Sequence, residues 1–149
     1  MKHKKTRHLG TIQHGNGRPL DVYGWHRTPN RQHEVKITDI ANRYGGDWVR
    51  YDTGPEKADW VMVVNGQRYF GEMDTGSISV KTVQKRLLKA YAKCEDLVLF
   101  VTSSRKRLDA IRNGLQDLAH IVLYAVFSDV LETPHGDIWT DYYGELTSI

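Results

Sequence analysis

Hydrophobic and polar positions alternate most clearly between Lys57 and Asp74. Lys57-Ala58-Asp59-Trp60-Val61-Met62-Val63-Val64 and Gln67-Arg68-Tyr69-Phe70-Gly71-Glu72-Met73-Asp74 are two β-type runs flanking Asn65-Gly66. An Asn-Gly pair favours a type I′ hairpin turn, because both central residues need positive φ. A two-residue loop then sets the register: Val64 faces Gln67, Val63 faces Arg68 and Val61 faces Phe70. Asp59 falls opposite Glu72, and Lys57 opposite Asp74. With period-two alternation, Asp59, Glu72 and Asp74 share one face of the sheet.

Before the hairpin the pattern is helical from His33 to Tyr44. Val35, Ile37, Ile40, Ala41 and Tyr44 form an apolar stripe, and Gly45-Gly46 ends the helix. Trp48-Val49-Arg50-Tyr51 reads as a short strand. Residues 15 to 32 read as loop with a short strand at Val22-Tyr23-Gly24-Trp25. After the hairpin, Thr75-Gly76-Ser77 is a turn into a helix whose buried face carries Val80, Val83, Leu87, Leu88 and Tyr91. Leu97-Val98-Leu99-Phe100-Val101 is a continuous apolar run, as expected of a strand covered on both faces. Ser103 or Ser104 caps a helix from Arg105 to about Ala119, with Leu108, Ile111, Leu115 and Leu118 inward. Residues 121–127 form a further buried strand, and the aromatic end, with Trp139, Tyr142 and Tyr143, adds an edge strand or packs on the sheet. The sum is an α/β protein with a mixed sheet, antiparallel first and joined by right-handed crossovers later.

Composition changes this picture little. The chain has 149 residues, 40% hydrophobic and 26% charged, enough for one domain with a core. We expect a basic N-terminal arm with a short strand over 1–32 and a single α/β domain over 33–149. No apolar run is long enough for a bilayer, and no signal peptide is apparent. Cys94 is the only cysteine, which points to a reducing, cytoplasmic compartment.

Charge adds more. The net charge is only +3, yet no acid precedes Asp21 and no lysine or arginine follows Arg112. Lys2, Lys4, Lys5 and Arg7 form a basic arm suited to phosphates, and Arg18 extends it. The same arm also reads as a solubilising terminus. Its histidines, His3, His8 and His14, have no cysteine partners and fit no zinc spacing.

The hairpin carries the candidate chemistry. Opposed residues on a sheet have Cβ atoms about 5 Å apart, and like charges there repel. A bound divalent cation, a raised pKa, or pairing with Lys57 would relieve the cluster. Carboxylate oxygens suit a hard cation such as magnesium. We read Asp59, Glu72 and Asp74 as a metal site. The spacing alone leaves a solvated face, with Lys57 pairing Asp59 and Asp74, equally open. Lys81, Lys85 and Lys89 recur on one exposed helix face. His33 and the four tryptophans read as structural.

The order αβββαβ, with an acid starting the second strand and an acid pair on the third, resembles the PD-(D/E)XK nuclease-like superfamily. Within it the chain looks like the replication-relaxation family of plasmid and mobile-element proteins. The matching residues are His33 heading the first helix, Ala58-Asp59-Trp60 for Pro-Asp-Ala, and Glu72-Met73-Asp74-Thr75-Gly76 for Glu-Val-Asp-Arg-Gly. A basic helix ending in Tyr91 and Leu99-Phe100-Val101-Thr102-Ser103 follow, and Gly17 to Tyr23 resembles the end of the family's winged-helix segment.

This resemblance implies a restriction-endonuclease-like αβββαβ core, its mixed central sheet flanked by helices, plus a C-terminal helix and strand. It implies that Asp59 and Glu72 bind Mg2+ (or Mn2+) and that Asp74 occupies the position of the motif lysine. Lys57, Lys81 or Lys85 then supplies the missing cation; Lys85 matches best, and Arg86 is its rival by one residue. Glu34 matches an additional acid that some of these nucleases carry on the first helix. The implied function is a metal-dependent DNA endonuclease or nickase of a plasmid or mobile element. The alternative is a non-catalytic DNA-binding replication accessory with a degenerate site. DNA is the expected partner and a membrane is not. Sequence recognition would come from the arm, a homodimer or a separate recognition partner.

Overall fold

The computed structural model describes residues 7–12, 20–24, 31–45, 47–50 and 58–149; for 7–12, 20–24, Arg31 and Arg50 it describes the backbone only. Lys2, Lys4, Lys5, Arg18, Trp25 and Lys57 lie outside the described residues, as does the side chain of Arg7.

Strands β1 (Arg7–Ile12) and β2 (Leu20–Gly24) pair antiparallel as a two-stranded sheet. Helix α1 (Arg31–Arg43) follows, and Gly45 beyond it takes φ +61°, the left-handed conformation that lets a helix stop. The main sheet is built from β3 (Trp48–Arg50), β4 (Trp60–Val64), β5 (Gln67–Asp74), β6 (Leu97–Thr102), β7 (Val122–Val126), β8 (Trp139–Thr140) and β9 (Leu146–Thr147). These seven strands lie side by side in chain order. β3, β4 and β5 are antiparallel, β5, β6 and β7 parallel, and β7, β8 and β9 antiparallel again. The expected α/β class and mixed sheet are both present.

The hairpin register is the one the Asn-Gly turn implies. Val64 faces Gln67, Val63 faces Arg68 and Val61 faces Phe70. Asn65 and Gly66 have φ of 51° and 79°, as a type I′ turn requires. Gly71 is needed for a different reason: the Trp60 ring lies over it, and a Cβ there would sit 2.0 Å from the indole.

Helices cover both faces of the sheet. Helix α2 (Val80–Tyr91) and helix α3 (Arg105–Arg112) pack on one face through Val83, Leu87, Tyr91, Leu108 and Ile111. Phe70, Val98, Phe100 and Tyr124 meet them from the strands. α1 packs on the other face through Ile37, Ile40, Ala41 and Tyr44, against Trp60, Met73, Leu99, Val101 and Trp139. Alternate residues of β6 thus enter opposite cores, which is why its sequence is apolar throughout. A short helix α4 (Phe127–Glu132), not expected from the sequence, joins the α1 side through Val130. The aromatic end does both things expected of it: Trp139 is fully buried, and β8 and β9 extend the sheet.

The expected helix from Arg105 to Ala119 is corrected. Ser104 caps α3 by accepting Arg107 N–H, but the helix ends at Arg112 and a single 3-10 turn occupies Gln116–Leu118. Gln84 of α2 sets the stop, because its amide donates to the carbonyls of Ala110 and Ile111 at 3.0 and 3.1 Å. Gly114 leaves room for that amide, which would lie 2.2 Å from a Cβ at this position. Leu115 and Leu118 are buried nonetheless.

Candidate active site

The ladder between β4 and β5 ends at Trp60 and Gly71. One residue further, Asp59 N–H donates to the carbonyl of Gly71 at 2.9 Å, so the expected pairing of Asp59 with Glu72 is not continued. Asp59 instead uses its carboxylate. Oδ2 accepts the N–H of Met73 at 2.8 Å, satisfying a β5 donor that has lost its neighbouring strand. His33 Nε2 approaches the same oxygen at 3.1 Å and the carbonyl of Met73 at 2.9 Å. A carbonyl can only accept, so Nε2 carries the hydrogen. His33 thereby ties α1 to the hairpin through Asp59. Glu34 faces the other ring nitrogen, with Oε1 3.7 Å from Nδ1.

Glu72 lies on the face covered by α2, with 2% of its surface exposed. Tyr91, the last residue of α2, donates its hydroxyl to Glu72 Oε1 at 2.6 Å. Oε2 is buried and receives no hydrogen bond from any described residue. Arg86 places its guanidinium 3.6 Å from Oε2. Burial first, and the charge of Asp59 second, push the Glu72 carboxyl up to about 8, against the opposing pull of Arg86 and Tyr91. Burial also acts to raise Asp59. The hydrogen bonds from His33 and Met73 outweigh it and hold Asp59 below the usual carboxylate range. The hydrogen bond to Asp59, opposed by burial, raises His33. Two adjacent carboxyl groups with values pushed apart are a recurring feature of functional sites.

Asp74, expected as the third acid, is engaged by a different set of partners. Its Oδ2 accepts Thr102 Oγ1 at 2.6 Å and Arg107 Nε at 2.5 Å. Its Oδ1 accepts a second guanidinium nitrogen at 3.0 Å and Gly76 N–H at 3.3 Å. Burial opposes ionisation here too, but the bonds from Arg107 and Thr102 hold Asp74 below its usual range. An acid so fully engaged has no lone pairs to spare for a cation. Among the described residues no three His, Cys, Asp or Glu side chains converge as a metal cage.

Of the two helical cations weighed, Lys85 and its rival Arg86, one reaches the acids. Lys85, like Lys81 and Lys89, is exposed, and it is Arg86 that reaches Glu72. Sequence reasoning treated His33 as structural and missed Tyr91, Arg107 and Thr102 as partners of the acids. His33 at the head of the helix and Tyr91 at the end of the buried stripe were the only signals. An open groove of about 340 Å3 over β3 and β4, lined by Trp48, Val49, Val61 and Val63 among others, contains none of the three acids.

What the site offers a ligand follows from its donors. Glu72 Oε2 is a buried oxygen with an ion-pair partner in Arg86 but no hydrogen-bond donor among the described residues, beside a second carboxylate, a costly arrangement that a proton or a cation would relieve. Hard oxygen donors of this kind suit a magnesium-class ion, which needs only one or two carboxylates with waters or phosphate oxygens. No helix among the described residues is long and apolar enough to cross a membrane. Comparison with protein-family models, with curated proteins and with solved structures finds no match.

Proposed function

We infer that this chain is a metal-dependent DNA endonuclease or nickase-like protein, built on a restriction-endonuclease-like core, that hydrolyses phosphodiester bonds. The carrying observation is Glu72 Oε2, buried without a donor beside Asp59. The resemblance of the Asp59 and Glu72 motifs to the PD-(D/E)XK nucleases, in a setting of plasmids or mobile elements, supports DNA as substrate. The basic residues Lys2, Lys4, Lys5, Arg7 and Arg18 supply a phosphate-binding arm in this reading.

Asp59 and Glu72 would hold Mg2+ or Mn2+. When bound, such an ion supplies a Lewis acid for a phosphate oxygen and lowers the pKa of a water. His33 and the Met73 N–H keep Asp59 ionised and aimed. Tyr91 fixes the Glu72 carboxylate. Arg86 places a permanent positive charge beside Glu72, where it can offset charge building on a phosphate. A second reading, a non-catalytic DNA-binding replication accessory, is favoured by one observation: Asp74 stands in the motif-lysine position and is locked by Arg107.

Supercoiled plasmid incubated with Mg2+, Mn2+ or chelator separates the two. The expected result is metal-dependent nicking, lost in an Asp59→Ala/Glu72→Ala double variant. The loss should exceed the ~10–100-fold of an outer-shell change. DNA retarded in a gel but cut under no metal would overturn cleavage and leave the accessory role.

A further inference from the structure

We propose that Tyr91 biases which divalent cation the Asp59–Glu72 pair accepts, by engaging one of the two Glu72 oxygens. This deepens the cation site proposed above and rests on it. The phenol of Tyr91 is fully buried and donates its one proton to Glu72 Oε1 at 2.6 Å. That length is short for a hydroxyl donor. The ring cannot easily turn away. It is anchored at the end of α2, packs in the core with Leu87 and Val98, and lies tilted against Phe70 with centroids 6.3 Å apart. Oε1 is therefore engaged, while Oε2 is buried without a donor. On the neighbouring acid, Asp59 Oδ2 is engaged in the same way, by Met73 N–H and His33.

The two common hard cations want different things from a carboxylate. Magnesium binds oxygens at about 2.0–2.1 Å in a near-ideal octahedron and is content with one oxygen per acid. Calcium binds at about 2.3–2.6 Å, takes six to eight oxygens, and often uses both oxygens of one carboxylate. Glu72 clamped through Oε1 serves the first requirement fully and the second less well, because one lone pair of Oε1 is already taken and its direction is fixed. The tyrosine thus acts on selectivity through the acid it holds, as a positioning residue.

The test is titration calorimetry of the full chain with MgCl2 and with CaCl2, in wild type and in Tyr91→Phe. Wild type is expected to prefer Mg2+. Tyr91→Phe frees Oε1, and the ratio of calcium to magnesium affinity should rise at least about fivefold, with calcium binding tightening. A merely structural tyrosine would weaken both cations together and leave the ratio unmoved; a ratio within twofold of wild type overturns the proposal. Wild type that binds neither cation sinks the underlying site itself, an outcome distinct from an unmoved ratio. If Tyr91→Phe does not fold, 3-fluorotyrosine placed at position 91 decides. It keeps the ring and strengthens the donor, so the preference for Mg2+ should sharpen, and an unchanged preference overturns the proposal.

Discussion

Glu72 is a carboxyl group removed from water and only half supplied with partners. Burial is the main reason its pKa rises from an ordinary 4.5 to about 8 in the folded chain. Between those values the folded state holds a proton that the unfolded chain has released, so stability falls as pH rises through that window. His33 acts in the same direction: its raised value contributes stability below about 6.5, which is lost as pH climbs through the folded value. Glu72→Gln keeps an acceptor for Tyr91 and removes the ionisation. We expect its unfolding free energy by urea titration to match wild type closely near pH 4, below the unfolded value. At pH 9, in chelator, it should exceed wild type by about 2 kcal/mol or more. A gap that does not change with pH would show that Glu72 ionises without penalty. Little of this was legible in the residues themselves. The two acids stood out by strand register, but their partners, His33 and Tyr91, come from helices whose docking no local pattern encodes.

The elements carry the register, and a latch made by Asp74 holds their ends together. Arg107 on α3 forks onto Asp74 at the end of β5 and also donates to the carbonyl of Ile78, just before α2. Thr102 at the end of β6 completes the cluster. With Asp74 3% and Arg107 16% exposed, removing either partner strands the other. Asp74→Ala and Arg107→Ala should each destabilise the fold by about 3 kcal/mol, and the double variant by scarcely more than the worse single one. Strictly additive losses in denaturant titrations would rule out a shared latch. At this scale the sequence was readable where periodicity reports burial: the hairpin register, the stripe of α2, and β6 covered on both faces. It was misleading where a side chain from elsewhere decides. Gln84 ends α3 early by capping its last carbonyls, although Leu115 and Leu118 keep the helical spacing and stay buried. The partner of Asp74, a residue 33 positions later, was likewise not legible from the alternation of β5.

For the molecule as a whole, the sheet brings the start of β4, the end of β5 and the flanking helices α1 and α2 to one place. Asp59, Glu72, His33, Tyr91 and Arg86 meet there from four separate stretches of chain. The α/β class and mixed sheet followed from the order of apolar runs. The convergence did not, because it depends on which face each helix covers. Charge is segregated along the same chain, basic before Asp21 and free of lysine and arginine after Arg112. The proposed function stands or falls on whether Asp59 and Glu72 together hold one divalent cation. Electron paramagnetic resonance of free Mn2+, followed during titration into the full chain, reads that binding without relying on cleavage. One bound Mn2+ per chain is expected, with affinity at least about tenfold weaker in Asp59→Asn and in Glu72→Gln. An Mn2+ signal undiminished by the protein, or diminished equally by wild type and both variants, would refute the shared site.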